Sequence, residues 1–184
     1  MKSLFFAFAL CALSVGCIAK PLIIFDTDFG GDADDLGALA MLNHMHNQGK
    51  CELVAVMNWN NERYSLPAIG AINQYYGNPN IPLGSRKEGL WHGEWQYSKP
   101  LVDALGSNRQ IDQTPDTTEL YRKLLAQAAD SSITVVTVGP LLNILRLLES
   151  APDEHSDMNG VELVQKKVQT FVIMGGQFPK GDWE

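Results

Sequence analysis

"IIFDTDFGGDADDLGALA", Ile23 to Ala40, places five aspartates, Asp26, Asp28, Asp32, Asp34 and Asp35, within ten residues directly after an apolar run. The run belongs to "KPLIIFD" (20–26). A short apolar, partly β-branched segment of that kind reads as a strand buried on both faces, as in a parallel sheet. Asp34 to Gln48 reads as a helix, with Leu36, Leu39, Ala40, Leu42 and Asn43 on one face, acids in the first turn and Gly49 as a stop. A strand, an acidic turn and a helix in succession predict an α/β fold.

The remaining chain repeats that alternation. Strands are expected at 51–59, 80–84, 132–138 and 167–176, and helices within 61–77 after Pro67 and ending at Gly77, at 117–130 and at 139–150, the last opening with Pro140 in its first turn. Residues 85–115 read as a long loop region with limited helix. The expected fold is therefore a mostly parallel sheet with helices on both faces and right-handed crossovers, a Rossmann-like core. In such sheets ligands collect at the carboxyl ends of strands. Polar clusters follow four of them: Asp26–Asp35, Asn58–Asn61, Gly139, and Gly175 with Gly176.

Composition narrows the setting. The 184 residues are 45% hydrophobic and 19% charged, proportions of an ordinary globular domain, with a formal net charge of −7 that argues against a nucleic-acid partner. "MKSLFFAFALCALSVGCIA" (1–19) has an early Lys, an apolar centre and small residues near its end, the pattern of a secretory signal peptide cleaved before Lys20. The expectation is a secreted or periplasmic protein with one domain over 20–184. "SVGC" is the alternative, a lipoprotein signal with Cys17 lipidated, and Ser14 fits it poorly. No later segment is apolar for long enough to span a membrane. With the leader removed, Cys51 is the remaining thiol, and one thiol forms no internal disulfide.

Three readings of the aspartates compete. Helix capping accounts for one or two acids at a helix start, not for five repelling one another. Metal binding accounts for the crowding, because carboxylates are hard oxygen ligands for calcium or magnesium and a dication offsets their repulsion. An EF-hand is excluded: the twelfth position from Asp26 is Gly37, not Glu, and a strand precedes the loop. The third reading is a haloacid-dehalogenase-like phosphatase, with Asp26 as nucleophile and Asp28 as acid/base. Gly30 departs from that motif, and Asp32, Asp34 and Asp35 are left without a role.

"DTDFGGDADDLGALA" (26–40) closely resembles the N-terminal signature of the inosine–uridine preferring nucleoside hydrolases, in a form with a longer loop before the paired acids. "WHG" (91–93) is similar to the family's His-Gly loop, "VTVGPLLNI" (136–144) to its Gly-Pro-Leu-Thr-Asn segment with Leu142 for Thr, and "VIMGG" (172–176) to its Met-Gly-Gly segment. The resemblance implies hydrolysis of the N-glycosidic bond of ribonucleosides by a calcium-activated water. It implies Asp28 as general base and metal ligand, Asp35 as a second calcium ligand, and the Val138 carbonyl as a third. Asp34, Asn58, His92 and Glu184 are the implied ribonucleoside contacts, with Asn60 competing for the role of Asn58 and Asp182 for that of Glu184. Asp26 is implied as a supporting acid; the longer loop leaves Asp32 without a clear counterpart, as a supporting acid and the alternative for the role of Asp34. Trp91 and Trp95 either pack a loop or stack on a nucleobase. A homo-oligomer is compatible with the resemblance.

The family is longer than this chain, which ends inside the expected ribose-binding segment. The resemblance thus covers the N-terminal portion, and it implies that these residues alone bind calcium weakly and hydrolyse little. A non-catalytic metal- or nucleoside-binding fragment is the further alternative.

Overall fold

The computed structural model describes residues 20–87, 97–107, 109–175 and 179–180. The expected leader, His92, Trp91, Trp95, Gly176, Asp182 and Glu184 lie outside the described residues. Five strands form one all-parallel sheet: β1 Leu22–Thr27, β2 Glu52–Asn58, β3 Leu83–Ser85, β4 Ile133–Thr137 and β5 Val168–Ile173, in the order β3-β2-β1-β4-β5. Six α-helices join them: α1 Asp34–Asn47, α2 Ser65–Tyr75, α3 Ser98–Leu105, α4 Thr117–Gln127, α5 Leu142–Glu149 and α6 Gly160–Lys167. None of the helices described is long and apolar enough to cross a membrane.

The period of two along β1 decides what each face receives. Ile23 and Phe25 enter one apolar cluster with Leu39 and Leu42 of α1 and Leu66 and Ile69 of α2. Ile24 enters the other, with Leu120 and Leu125 of α4, Leu147 of α5 and Leu163 of α6. Helices therefore cover both faces. Each Leu, Ile or Phe side chain buried this way stabilises the fold by about 1.5–3 kcal/mol. Asn43, expected on the apolar face of α1, is buried too, and it is satisfied: its amide donates to Asn73 Oδ1 (2.8 Å) and its oxygen accepts from Asn78 (2.8 Å). A polar pin thus ties α1 to α2 and the turn after it.

Two expectations change. The helix placed at 139–150 begins at Leu142, so Pro140 lies in the preceding turn. Residues 138–141 are taken up in leaving the sheet, where Val138 N–H still donates to the Asp26 carbonyl (3.0 Å). The helix α6 was not anticipated. It is short, and its start is set by a capping box, with the Asn159 side chain accepting from Glu162 N–H and the Glu162 carboxylate accepting from Asn159 N–H. The long loop region holds α3 and one 3-10 turn, Ile111–Gln113.

Candidate functional site

In a parallel sheet ordered 3-2-1-4-5, the chain winds outward in opposite directions from β1. The crevice beyond the carboxyl ends of β1 and β4 is the topological switch point, where such folds accept ligands. β1 ends in the aspartate loop, and β4 ends in Val138 and Gly139.

The alternation along β1 sends its last two polar residues to opposite faces. Asp26 points into the α4–α5 side, 2% exposed. Tyr121 Oη donates to its Oδ2 at 2.8 Å and Asn143 Nδ2 to its Oδ1 at 3.0 Å. Burial raises the Asp26 pKa to about 7, against the lowering effect of both bonds, and the nearby Asp28 charge adds to the rise. Thr27 points to the α1 side, and its hydroxyl donates to Asp35 Oδ1. Asp35 is 2% exposed, and burial pushes its pKa to about 8. The Thr27 bond opposes that rise, while the charges of Asp28, Asp34 and Asp32 reinforce it.

Asp32, Asp34 and Asp35 bring one carboxylate oxygen each to within 4.8 Å of one another, a set able to hold a metal ion. This is not the implied set of Asp28, Asp35 and the Val138 carbonyl. Asp28 stands outside the three-residue group, half-buried beside it. It does meet the β4 turn: a Cβ on Gly139 would lie 2.7 Å from Asp28 Oδ1 and 2.9 Å from its backbone nitrogen. Only glycine lets the β4 turn approach that carboxylate so closely. Capping contributes in part, since Asp34 Oδ1 accepts from Asp35 N–H at 2.9 Å. Hydrogen bonding with Asp32 is the main cause that lowers the Asp34 pKa.

The asparagines after β2 build the rim. Asn58 is fully buried; its amide donates to the Asn60 carbonyl (2.6 Å), and its oxygen accepts from Ser65 Oγ (3.1 Å) and Asn60 N–H (3.3 Å). Asn60 is fully buried as well, and its amide donates to the Phe29 carbonyl at 3.3 Å. Asn60 therefore fastens the β2 loop to the aspartate loop, and Asn58 braces Asn60 and the start of α2. Tyr97, at the start of α3, reaches the same loop: its hydroxyl accepts from Gly30 N–H (3.1 Å), and its ring meets Phe29 edge-on with centroids 5.5 Å apart. Burial and the charges of Asp35, Asp32 and Asp34 raise the Tyr97 pKa, so its hydroxyl keeps its proton.

Tyr121, Asn143 and Tyr97 were not singled out from the sequence. Asn143 had a signal, because it closes the "VTVGPLLN" stretch whose resemblance was noted for Val138 alone. Nothing local marks the two tyrosines.

These features first define a class by fold. The chain superposes with a TM-score of 0.71 on the type III effector protein XopQ, whose crystal structure is a complex with adenosine diphosphate ribose. The match has 15% sequence identity and covers 90% of this chain and 47% of XopQ. The effector protein XOO4466 matches similarly, with a TM-score of 0.68, 14% identity, and coverage of 89% and 46%. No family model matches the chain. The particular relatives come from sequence. Over 92 residues the chain is 35% identical to the pyrimidine-specific ribonucleoside hydrolase RihA of Escherichia coli O9:H4 (strain HS), and 34% identical to that of Escherichia coli O157:H7 (strain EC4115 / EHEC). The matched stretch is 50% of this chain and 25% of each relative. The chain is thus distantly related, over half its length, to ribonucleoside hydrolases.

Proposed function

We propose that the chain carries the metal- and ribose-binding part of a calcium-dependent ribonucleoside hydrolase. The observation that carries this reading is the convergence of Asp28, Asp32, Asp34 and Asp35 beside Gly139 at the switch point of a fold whose sequence relatives are ribonucleoside hydrolases. The donor set fits calcium: it is all carboxylate oxygen, and Asp35, raised chiefly by burial and further by like charge, has a charge that a dication would offset. Asp32, Asp34 and Asp35 would hold the ion, with Asp28 and the Val138 carbonyl beside it. When bound, calcium supplies positive charge that makes a water more acidic and binds ribose hydroxyls.

The chain's own groups do the rest. Asp28 takes a proton on its carboxylate from the water that attacks C1′, while the bond from C1′ to the base nitrogen breaks with its electron pair going to nitrogen, and the base anion then takes a proton from solvent as Asp28 releases its own. Asp34, exposed at the loop, accepts hydrogen bonds from ribose hydroxyls. Asp26 keeps Asp28 in place from below, through the backbone of β1. The Tyr121 and Asn143 bonds and 2% exposure of Asp26 suit that supporting role better than a phosphatase nucleophile, which must reach phosphorus. His92 and Glu184 are proposed as further nucleoside contacts, and the protein is proposed to act outside the cytoplasm after loss of residues 1–19.

Calorimetry tests the reading. Calcium is expected to bind the chain and to strengthen uridine binding, with both effects lost in Asp35→Asn. A chain that binds neither calcium nor uridine overturns it, and phosphate release from a nucleoside monophosphate in place of free ribose favours the phosphatase.

A further inference from the structure

The two edges of the sheet are finished differently. β3 spans three residues, all buried, and Ser85 N–H donates to the Pro115 carbonyl of the segment before α4 (3.0 Å). The chain itself closes that edge. β5 has β4 on one side and, among the described residues, no strand on the other.

The ladder fixes what β5 offers at its open side. Met174 N–H donates to the Thr137 carbonyl at 2.9 Å. Alternate residues of a strand bond to opposite sides, so Phe171 and Ile173 turn their N–H and C=O groups outward. Proteins ordinarily blunt an edge with charge, proline or a very short strand. β5 is six residues long, and "VQTFVIMG" (168–175) holds neither a charge nor a proline.

The side chains there are apolar and uncovered. The register sets Val172 beside Val136, on the α1 and α2 face, and Ile173 beside Thr137, on the α4 and α5 face. Val172 is 51% exposed and Ile173 49%. Parallel sheets are ordinarily covered on both faces, and β5 leaves one apolar residue open on each. Leu141 and Met174, both exposed, line a small cavity at the carboxyl end of the strand.

Charge sets the direction in which a neighbour fits. Exposed Lys166 stands at the amino end of β5, while Asp28, Asp32, Asp34 and Asp35 gather at the carboxyl edge of the sheet. A parallel copy would bring acids beside acids. An antiparallel copy brings each lysine end beside the other's acidic edge.

We infer that two copies of this chain join by antiparallel pairing of β5 with β5 about a twofold axis. With the axis at Val172, that side chain faces its own copy. Phe171 of one protomer and Ile173 of its partner then exchange both N–H to C=O bonds, and Met174 meets Thr170. Such an interface is isologous and closes at two chains. It stands on the sheet alone, apart from the function proposed above.

The test is light scattering and amide hydrogen exchange on the 184-residue chain. A particle of twice the chain's mass is expected. The Phe171 and Ile173 amides should gain protection as concentration rises, while the Met174 amide, bonded to β4, is protected throughout. Val172→Lys sets like charges at the axis and should weaken dimerisation at least about tenfold. Ile173→Pro removes an outward donor, keeps the bonds to β4 and should do the same. Where the proline variant folds poorly, Val172→Lys decides, because that position is half exposed. A monomeric wild-type chain overturns the inference, as does a dimer that Val172→Lys leaves unchanged. A dimer whose Phe171 and Ile173 amides stay unprotected is held by another surface. A mass that grows past two chains is an open assembly. Either result overturns the pairing too.

Discussion

The loop after β1 and the loop between α5 and α6 both gather carboxylates and polar groups, and they settle their charge in opposite ways. Asp35 is buried among like charges, and burial first and those charges second raise its pKa to about 8. Asp153 sits on Arg122, whose Nε lies 2.7 Å from Asp153 Oδ2 and whose NH2 nitrogen donates to Oδ1 at 2.9 Å; that bonding, more than any other cause, lowers the Asp153 pKa to about 2. Arg122 also donates to Ser150 Oγ and to the carbonyls of Ser156 and Met158. The second loop is complete in itself and contributes stability. The first gathers buried carboxylates of like charge, which is how a binding site differs from a structural clasp made of the same residue types.

Removing the clasp should have the largest effect. Arg122→Ala leaves Asp153 and three further acceptors without their donor, and it should cost about 2–4 kcal/mol in urea unfolding, through the lost bonds of a buried guanidinium. Calcium affinity below the transition should stay as in wild type; a parallel loss of calcium binding would mean that the two loops are not independent. Next comes Gly139→Ala. Its Cβ would fall 2.7 Å from Asp28 Oδ1, so the β4 turn must withdraw from the aspartate loop. We expect about 1–3 kcal/mol of destabilisation and at least tenfold weaker calcium binding, read by calorimetry. Unchanged affinity would separate the β4 turn from the site.

The two loops should also respond oppositely to pH. Asp26 and Asp35 have raised folded-state pKa values, about 7 and about 8, so between about pH 4 and 8 the folded chain holds more protons than the unfolded one. Their contribution is full below about pH 4 and is lost as pH rises through 7 and 8. Asp153 behaves in reverse: its contribution is full above about pH 4 and is lost as pH falls toward 2. Discounted for its partial exposure, that term is on the order of 1–2 kcal/mol. Metal-free chain should therefore melt lower at pH 8 than at pH 5, and added calcium should restore Tm at pH 8. A Tm that rises from pH 5 to 8 without calcium contradicts the raised pKa values of these two carboxyls. The smallest effect belongs to Tyr97→Phe, which removes the bond from Gly30 N–H but keeps the ring against Phe29. It should cost about 1 kcal/mol in urea unfolding.

The sequence disclosed most where the pattern is local. The apolar run ending in Asp26, the helix from Asp34 and its stop at Gly49 needed only neighbouring residues, and β1 and α1 fall within a residue or two of expectation. α6 was legible in principle, since Asn159 and Glu162 stand at capping-box spacing, but its apolar face is only Val161, Leu163 and Val164 and it follows a polar stretch. The partners of Asp26 were not legible. Tyr121 and Asn143 lie on helices that read simply as amphipathic, and only the winding of the sheet turns them toward β1. The ribose role of Asn58, with Asn60 competing, is implied by the resemblance alone. Their burial follows from a turn tight enough for Asn58 and Asn60 to bond each other.

The Asn143–Asp26 bond spans 117 positions of chain. It fixes an order of events. β1 is made before its neighbour β4 and the Asn143 amide, which come more than a hundred residues later, so the acids wait unsupported while the intervening segments are synthesised. Parallel pairings of such long range are slow to form. The aspartate loop should therefore be among the last parts to become rigid in refolding, after α1 and α2 have closed over their own face of the sheet.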